Sequence, residues 1–453
     1  MRDFYRLCLD LYRNIRYKFE SFSVKTDSKI VVFASFGGDS YSDNPKAIFE
    51  YMIETGKFTD YTFVWGFKKR KLKNKANIFA KYAVSDCESR HEGSNSTVIK
   101  SDSFNHDLHT SETIWSPNIV VVRIGSKEWR KYLAKAKFWV LNYKIEDYLK
   151  PRRDQVFLQT WHGTPLKRLG YDLEHFDNAR NTMQGIKKRY AKEVLKFDYF
   201  ISPSSYSSEK FASAWNMDDS VKNKIMLEVG YPRNDILFTY NEDIVNKLKT
   251  KIFGHYYIEY EQLLREKGRR KTIVLYAPTY RGNQHTIGVG YTYHAEIDFD
   301  KMYRELGEDY IILFRAHYFV AKIFDFKKYE GFVYDVSNID DINDLYLISD
   351  ILVTDYSSSM FDFSNLKRPM IFYMYDLEYY RDESNGFYFD PEELLPGPIV
   401  RTEDELVDAL KKCDKKFEYT DKYREFNKIF DPIDDGHSCE RVVNKIFEGG
   451  RVN

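Results

Sequence analysis

Short apolar runs alternate with longer amphipathic stretches along the chain, and this alternation predicts an α/β fold with parallel strands. The first run, Ile30–Ser35, leads into Gly37 and Gly38 and then into a helical stretch at Lys46–Ile53. A strand, a glycine turn and a helix in this order open a Rossmann-like unit. Further strands of the first half are predicted at Tyr61–Trp65, Ile119–Ile124, Phe138–Asn142, Val156–Thr160 and Tyr199–Ser202.

A second series of strands follows a polar, helical bridge at residues 238–270. Helical patterns such as Asp341–Ser349 and Met360–Leu366 separate most of these strands. Two series joined by a bridge predict two Rossmann-like domains that face each other across a cleft, with ligands at the carboxyl ends of the strands. The predicted strands are Thr272–Tyr276, Tyr310–Phe314, Phe332–Asp335, Ile351–Thr354 and Met370–Tyr373.

Two segments stand outside this alternation. Residues 82–116 are rich in Ser, Asn, Asp and His without periodicity, so we predict an insertion or long loop. Near the N-terminus, apolar residues recur at helical spacing, and a mildly cationic polar side accompanies them. Such a helix either lies on an anionic membrane surface or docks on its own domain, and a second basic cluster at residues 68–75 favours the membrane modestly. The apolar positions are Phe4, Cys8, Leu11, Ile15 and Phe19.

Composition narrows the class of protein. The 453 residues carry 69 Lys and Arg against 69 Asp and Glu, so net charge gives no reason to expect nucleic acid as a partner. A hydrophobic fraction of 43% excludes a disordered chain. The four cysteines lack CxxC spacing, which fits a reducing compartment. No run approaches the roughly 18 apolar residues of a membrane span, and basic residues interrupt the N-terminal segment, so we expect neither a membrane span nor a signal peptide.

Polar residues that suit a phosphate group follow three strands of the second half. The strand Ile351–Thr354 runs into Asp355 and then three serines at a helix start, where hydroxyls and free N–H groups attract an anion. Plain N-capping is the alternative interpretation. Two other strands lead to cations that bind phosphate. The pyrophosphate pocket predicted from these strand ends contains Thr279, Arg281, Arg315, His317, Asp355, Ser357 and Ser358.

In the first half, the strand Val156–Thr160 runs into Trp161, His162 and Gly163, and Lys167 follows one turn later. A histidine at a strand end is a candidate general base, and a hydrogen-bonded structural histidine is the alternative. Arg233 lies in another tight turn, Gly230–Asp235. These positions are the candidate site residues of the first half.

Together these segments resemble the CDP-glycerol glycerophosphotransferase family, the teichoic acid primases and polymerases of Gram-positive bacteria. The similar segments span most of the chain, and their number and order make a chance match improbable. They are FASFGGDSYSDNPKAI at 33–48, QTWHGTPLKRLG at 159–170, GYPRND at 230–235, YAPTYR at 276–281, FRAH at 314–317 and, within 344–400, LYLISDILVTDYSSSMFDFSNLKRPMIFYMYDLEYY and GFYFDPEELLPGP.

The resemblance implies a GT-B-like fold, with an acceptor domain that we place at 26–240 and a CDP-alditol-binding domain at 241–453. The amphipathic helix predicted from its spacing occupies 1–25 and is not itself one of the similar segments. The resemblance also implies that His162 and His317 are catalytic. The substrate-binding residues that we predict are Gly37, Gly38, Lys167, Arg233, Thr279, Arg281, Arg315, Asp355, Ser357 and Ser358. We predict no cofactor, and no metal because the candidate carboxylates Asp355, Asp362 and Asp376 form no DxD-like pair with one another.

The implied reaction moves glycerol phosphate from CDP-glycerol to a hydroxyl of an undecaprenyl-linked acceptor, or of a growing teichoic acid or capsule chain, and releases CMP. Family members act as peripheral enzymes at the cytoplasmic face of the cell membrane, so an anionic membrane surface is an expected partner. The alternatives are CDP-ribitol as donor, a nucleotide-sugar GT-B glycosyltransferase, and a binding protein without activity. Priming versus polymerising activity and a homo-oligomeric state are left open.

Overall fold

Two parallel sheets, each covered by helices, form two domains in the computed structural model. The structure describes residues 2–76, 78–79, 96–99, 117–174, 182–279, 285–286, 290–291, 297–316, 324–382 and 386–449. The predicted α/β class with two Rossmann-like domains and an N-terminal helix is confirmed. None of the helices in these ranges is long and apolar enough to cross a membrane.

The first sheet has the strand order β3-β4-β2-β1-β5-β6-β7-β8, and only β3 runs antiparallel to its neighbour. The strands are β1 (Asp27–Ala34), β2 (Thr62–Phe67), β3 (Ser96–Ile99), β4 (Asn118–Arg123), β5 (Ala136–Leu141), β6 (Val156–Gln159), β7 (Tyr199–Ser202) and β8 (Met226–Glu228). The helices are α1 (Arg2–Phe22), α2 (Asp43–Glu54), α3 (Lys69–Ala76), α4 (Lys127–Lys135), α5 (Met183–Val194), α6 (Ser205–Ala214), α7 (Asp219–Ile225) and α8 (Ile236–Thr239).

The second sheet is parallel, with the strand order β13-β12-β9-β14-β15-β16. Its strands, with a separate β10–β11 pair, are β9 (Thr272–Ala277), β10 (His285–Thr286), β11 (Gly290–Tyr291), β12 (Tyr310–Phe314), β13 (Val333–Asp335), β14 (Ile351–Thr354), β15 (Met370–Tyr373) and β16 (Ile399–Val400). The helices are α9 (Glu242–Phe253), α10 (Tyr257–Glu266), α11 (Phe299–Leu306), α12 (Ile342–Ile348), α13 (Ser359–Ser364), α14 (Leu377–Asp382), α15 (Pro391–Leu394), α16 (Glu403–Lys416), α17 (Asp421–Phe430) and α18 (Ser438–Ile446).

Both faces of each sheet are buried, which explains why the strands are continuous apolar runs. In β1, Val31 and Phe33 belong to one core, while Ile30 and Val32 belong to the core on the opposite face. Leu275 and Val274 of β9 divide in the same way between the two cores of the second sheet. The parallel arrangement brings the carboxyl ends of the strands to one edge of each sheet.

The N-terminal helix α1 docks on the first domain through one face, and its contact with a membrane surface stays a prediction. Tyr17, on one face, is only 2% exposed, and this face packs on the first domain beside α4. The predicted apolar stripe faces away from the domain. Leu11, Ile15, Phe19 and Phe22 are 60%, 61%, 77% and 86% exposed. The helix therefore docks through a minor face and leaves its most apolar face uncovered by the described residues.

The last helix, α18, differs from the predicted division of the chain at residue 240. Val442, Val443 and Ile446 pack with Val31 in a core of the first domain, although 241–453 was assigned to the second domain. The amphipathic pattern of α18 specified a buried face but not which domain would cover it. Ser96–Ile99, inside the predicted loop 82–116, forms the edge strand β3, and the rest of that segment lies outside the described residues.

Candidate active site

A pocket of about 520 Å³ opens between the domains, where the carboxyl edges of the two sheets face each other. The first domain contributes the loop after β6, from Trp161 to Leu169. The second domain contributes the ends of β9, β12 and β14 with the residues that follow them. These include Thr279, Arg315, Ser357 and Ser358. The volume suits a small-molecule ligand, and we call it the cleft pocket.

His162 lies in this pocket with one ring nitrogen already bonded. Its Nδ1 lies 2.9 Å from the backbone carbonyl oxygen of Asn142. Because a carbonyl oxygen only accepts, Nδ1 carries the proton of the neutral ring, and the Nε2 lone pair is left to act as a base. The side chain is exposed toward the pocket, but the protein around the pocket floor desolvates the imidazolium and lowers the pKa of His162 below its usual range.

Trp161 positions the histidine ring. Its indole stacks on the His162 imidazole with centroids 4.2 Å apart, while Trp215 packs edge-on against Trp161 at 4.8 Å. The backbone of Trp161 is left-handed, with φ of 48°, a strained conformation for an aromatic residue. The Gln159 side chain supports the turn by accepting a hydrogen bond from Trp161 N at 3.0 Å.

Gly163 allows the two domains to approach each other at the pocket. A Cβ atom on Gly163 would lie 2.5 Å from the Ser358 hydroxyl oxygen, so a larger residue there would collide with the serine turn. The loop carrying His162 and the turn carrying Ser357 and Ser358 thus meet directly across the cleft. They were predicted separately, on segments almost 200 residues apart, and the structure brings them together.

The serine turn offers at least one hydroxyl that capping does not use. Ser358 occupies the N-cap of α13, but its side chain makes no capping hydrogen bond. Ser357 Oγ accepts a hydrogen bond from Ser359 N at 3.3 Å. Asp355 is 2% exposed, and its Oδ1 accepts from Thr279 N at 2.9 Å and from Tyr356 N at 2.5 Å. Asp355 therefore shapes the turn and ties it to the end of β9, rather than facing a ligand.

Two further predicted cations line the pocket. Arg315 follows β12 and donates from Nη1 to the Ile339 carbonyl oxygen at 2.6 Å, and burial lowers the pKa of this arginine from its usual value. Lys167 Nζ lies 5.1 Å from the centre of the Tyr380 ring. Arg281 and His317 lie outside the described residues, so their assignment stays a prediction.

The glycine turn after β1 contributes indirectly. Gly37 and Gly38 both have positive φ, and a Cβ on Gly38 would lie 2.8 Å from backbone atoms of Phe67 and Lys68. Neither glycine is among the residues that line the cleft pocket. Their turn carries Phe36, whose ring centroid is 5.7 Å from that of His162. Gly38 thus has a packing role, and substrate contact by this turn stays a prediction.

Arg233 does not reach the cleft pocket, and the prediction that it binds substrate is corrected by its burial. It is 5% exposed, and it forms ion pairs with Asp43 of the first domain at 3.1 Å and with Asp362 of the second at 2.7 Å. Its guanidinium carbon also lies 4.1 Å from the Tyr231 ring centre. These contacts occupy the side chain between the domains.

Sequence reasoning missed the residues that orient the histidine. Asn142 contributes its backbone carbonyl oxygen. Because every residue type has this group, the sequence could not indicate the contact. Asn44 donates from Nδ2 to the Thr160 carbonyl oxygen at 2.9 Å and accepts from Arg233 N at 3.1 Å. The sequence shows Trp161 beside His162. It does not show that Trp215, which follows α6, packs against Trp161 and supports its stacking on the histidine.

Comparison with known proteins adds independent findings. Residues 15–448 match the family model described as CDP-Glycerol:Poly(glycerophosphate) glycerophosphotransferase. The chain is 35% identical over 422 residues to the teichoic acid poly(glycerol phosphate) polymerase of Bacillus subtilis, which covers 93% of this chain and about half (49%) of that relative. It is also 35% identical to the teichoic acid glycerol-phosphate transferase of Staphylococcus aureus, over 95% of this chain and 96% of that relative.

The architecture is also similar to that of solved structures. A histidine-to-asparagine variant of the wall teichoic acid polymerase TagF, soaked with CDPG, superimposes with a TM-score of 0.77 at 31% identity. The alignment covers 99% of this chain and 96% of that one. The similarity of fold therefore extends over essentially the whole chain.

Proposed function

Because the chain belongs to the CDP-glycerol:poly(glycerophosphate) glycerophosphotransferase family, we propose that it transfers glycerol phosphate from CDP-glycerol to a hydroxyl of a growing teichoic acid chain and releases CMP. The observation that carries this proposal is the meeting of His162 with the Ser357–Ser358 turn across one pocket. A base from one domain there faces phosphate-binding groups from the other.

The base in this proposal is His162, which the hydrogen bond at its Nδ1 supports. With Nδ1–H held by the Asn142 carbonyl oxygen, Nε2 accepts the proton of the acceptor hydroxyl. The hydroxyl oxygen forms a bond to the phosphorus that carries glycerol, and the bond from that phosphorus to the CMP oxygen breaks. The lowered pKa of His162, caused by desolvation, keeps the ring neutral and able to accept at neutral pH.

Groups of the second domain hold the donor and stabilise its charge. Arg315 and the hydroxyls of Ser357 and Ser358 lie within the cleft pocket, where they suit the pyrophosphate of CDP-glycerol. In phosphoryl transfer most catalysis comes from positioning and from stabilising charge on phosphoryl oxygens. The family resemblance adds Arg281 and His317 to this set. The acceptor approaches from the first domain, past Lys167.

The donor is tested by offering the purified protein CDP-glycerol, CDP-ribitol or a UDP-sugar, with a lipid-linked acceptor, and by measuring nucleotide release and product length. We expect acceptor-dependent CMP release from CDP-glycerol at a rate well above that from CDP-ribitol. Faster release from CDP-ribitol, or UDP release from the sugar nucleotide, overturns the proposed substrate. Product length separates addition of one unit from polymerisation.

The acceptor is proposed to be undecaprenyl-linked, and α1 is proposed to hold the enzyme on an anionic membrane surface at the cytoplasmic face. The supporting observation is the exposed stripe of Leu11, Ile15, Phe19 and Phe22, beside basic residues of the same helix. A helix that only docked on its own domain would bury this stripe.

Membrane binding is tested by sedimentation with vesicles that contain anionic phospholipid or only neutral phospholipid. Ile15→Ser/Phe19→Ser is expected to lose most binding to anionic vesicles. Tyr260→Ser/Leu263→Ser is the matched control, because these α10 side chains are also exposed, at 46% and 55%. Equal binding by both double variants would rule out α1 as the membrane contact.

A further inference from the structure

A second pocket, of about 700 Å³, lies at the opposite edge of the second sheet from the cleft pocket. Pro369 and Met370, at the start of β15, form part of its wall, whereas the serine turn follows the carboxyl end of the neighbouring strand β14. The end of α16 closes another side. We call it the lysine pocket, and no step of the proposed transfer uses it.

The floor of the lysine pocket is apolar and rigid. Pro396 and Pro398 line it on either side of Gly397, and a Cβ on Gly397 would lie 1.9 Å from the Met370 carbonyl oxygen. The loop is therefore packed tightly on β15, and the prolines restrict its backbone. Phe417 presents an aromatic ring that is 37% exposed. An apolar group can enter this pocket without reorganising the loop.

The rim of the lysine pocket is cationic. Four lysines line the pocket, against two acidic residues, Asp408 and Glu418. Lys411 is paired with Glu305 at 2.8 Å. The side chains of Lys412, Lys415 and Lys416 make no ion pair or hydrogen bond with any residue in the described ranges. Unpaired ammonium groups beside an apolar floor are complementary to a ligand that has an apolar body and an anionic head.

We propose that the lysine pocket binds an amphipathic phosphate, with its apolar body between Phe417 and the Pro396–Pro398 loop and its phosphate at Lys412, Lys415 and Lys416. The surplus of positive charge selects an anion over a cation. The volume falls within the range of ordinary ligand pockets. Two sources carry this chemistry, a single-chain lipid phosphate and a soluble aromatic phosphate, and the ligand series below distinguishes them.

The test is calorimetric titration of the full chain with decyl phosphate below its micellar concentration, phenyl phosphate, inorganic phosphate and decyltrimethylammonium, in the presence of saturating CDP-glycerol to occupy the cleft pocket. We expect one site for decyl phosphate or for phenyl phosphate, and the preferred compound identifies the source. Inorganic phosphate and the cationic amphiphile are expected to bind at least tenfold more weakly.

Variants locate the site. Lys412→Gln/Lys415→Gln/Lys416→Gln is expected to weaken binding roughly 10- to 100-fold, because each exposed charge contact contributes modestly. Phe417→Ala is expected to weaken it about threefold to tenfold through lost apolar contact. The matched control is Lys188→Gln/Lys224→Gln/Lys267→Gln, which removes the same charge from exposed positions elsewhere. Unchanged binding in both pocket variants, equal loss in the control, or no binding of either amphipathic phosphate overturns the proposal.

Discussion

The two domains contact each other in two regions that use charged side chains in opposite ways. In the cleft pocket, His162, Arg315 and the Ser358 hydroxyl border open space. In the interdomain network, defined here as Arg233, Asn234, Asp43, Asp362 and Asp434, the charged groups are buried and bonded to one another. The cleft side chains are therefore available to a ligand, whereas the network holds the two domains together.

The interdomain network joins three parts of the chain. Asn234 Nδ2 donates to Asp362 at 3.0 Å and to Asp434 at 2.6 Å, and Tyr231 N donates to Asp434 at 2.7 Å. Both sheets are thus connected to the segment before α18. A cation in a turn, such as Arg233, is therefore a poor indicator of ligand binding unless the carboxylates around it are known.

The largest effect is expected from His162→Ala. Removing the general base should lower kcat roughly 10²- to 10⁴-fold, as measured by acceptor-dependent CMP release. The melting temperature should change little, because the side chain is exposed and its hydrogen bond within the described residues is the one to the Asn142 carbonyl oxygen. Parent-level activity in this variant would place the base elsewhere and remove the main functional role of the cleft pocket.

Arg233→Met tests the other region. The substitution leaves Asp43 and Asp362 buried without their cation, so we expect a loss of about 3–5 kcal/mol in the free energy of unfolding. Urea denaturation measures it. Activity at low temperature should persist in the folded fraction, because Arg233 does not line the cleft pocket.

The matched control for this variant is Arg401→Met. Arg401 also bridges two carboxylates, Glu378 and Glu392, but its side chain is 45% exposed. Solvent screening makes such a pair weak, so a far smaller loss is expected. Equal losses in the two variants would show that burial does not distinguish the network, and lost activity without lost stability would return Arg233 to the substrate site.

The sequence predicted the secondary structure and the two-domain fold well, but it predicted few of the tertiary contacts. The strands β12, β14 and β15 begin and end where predicted, because each is a mostly apolar run that starts directly after an aspartate or a proline. The roles of Arg233 and Gly38 were missed, since they depend on partners such as Asp362 and Phe67 that lie far away in the chain. The stacking of Trp161 on His162 was missed for the same reason.

The smallest expected effect is a pH dependence of the free energy of unfolding, which arises in the interdomain network and not in the cleft pocket. Burial raises the pKa of Asp434 to about 7, although hydrogen bonds from Asn234 and Tyr231 oppose this shift, and nearby Asp362 adds to it. The unfolded carboxyl titrates near 4. Between these values the folded chain holds a proton that the unfolded chain has lost, so stability falls as the pH rises. The fall ends once the pH exceeds the folded pKa.

Between pH 6 and pH 8 the free energy of unfolding should therefore fall by about 1 kcal/mol, and Asp434→Asn should flatten this slope. Asp435→Asn is the control, since Asp435 is 54% exposed and paired with Arg441, and the hydrogen bond from Arg441 lowers the pKa of its carboxyl. The cleft behaves differently, because desolvation lowers the pKa of His162 and the base is therefore mostly neutral from pH 7 upward. Activity of the folded enzyme should accordingly stay level between pH 7 and pH 8, and a stability slope unchanged by Asp434→Asn would remove Asp434 as its source.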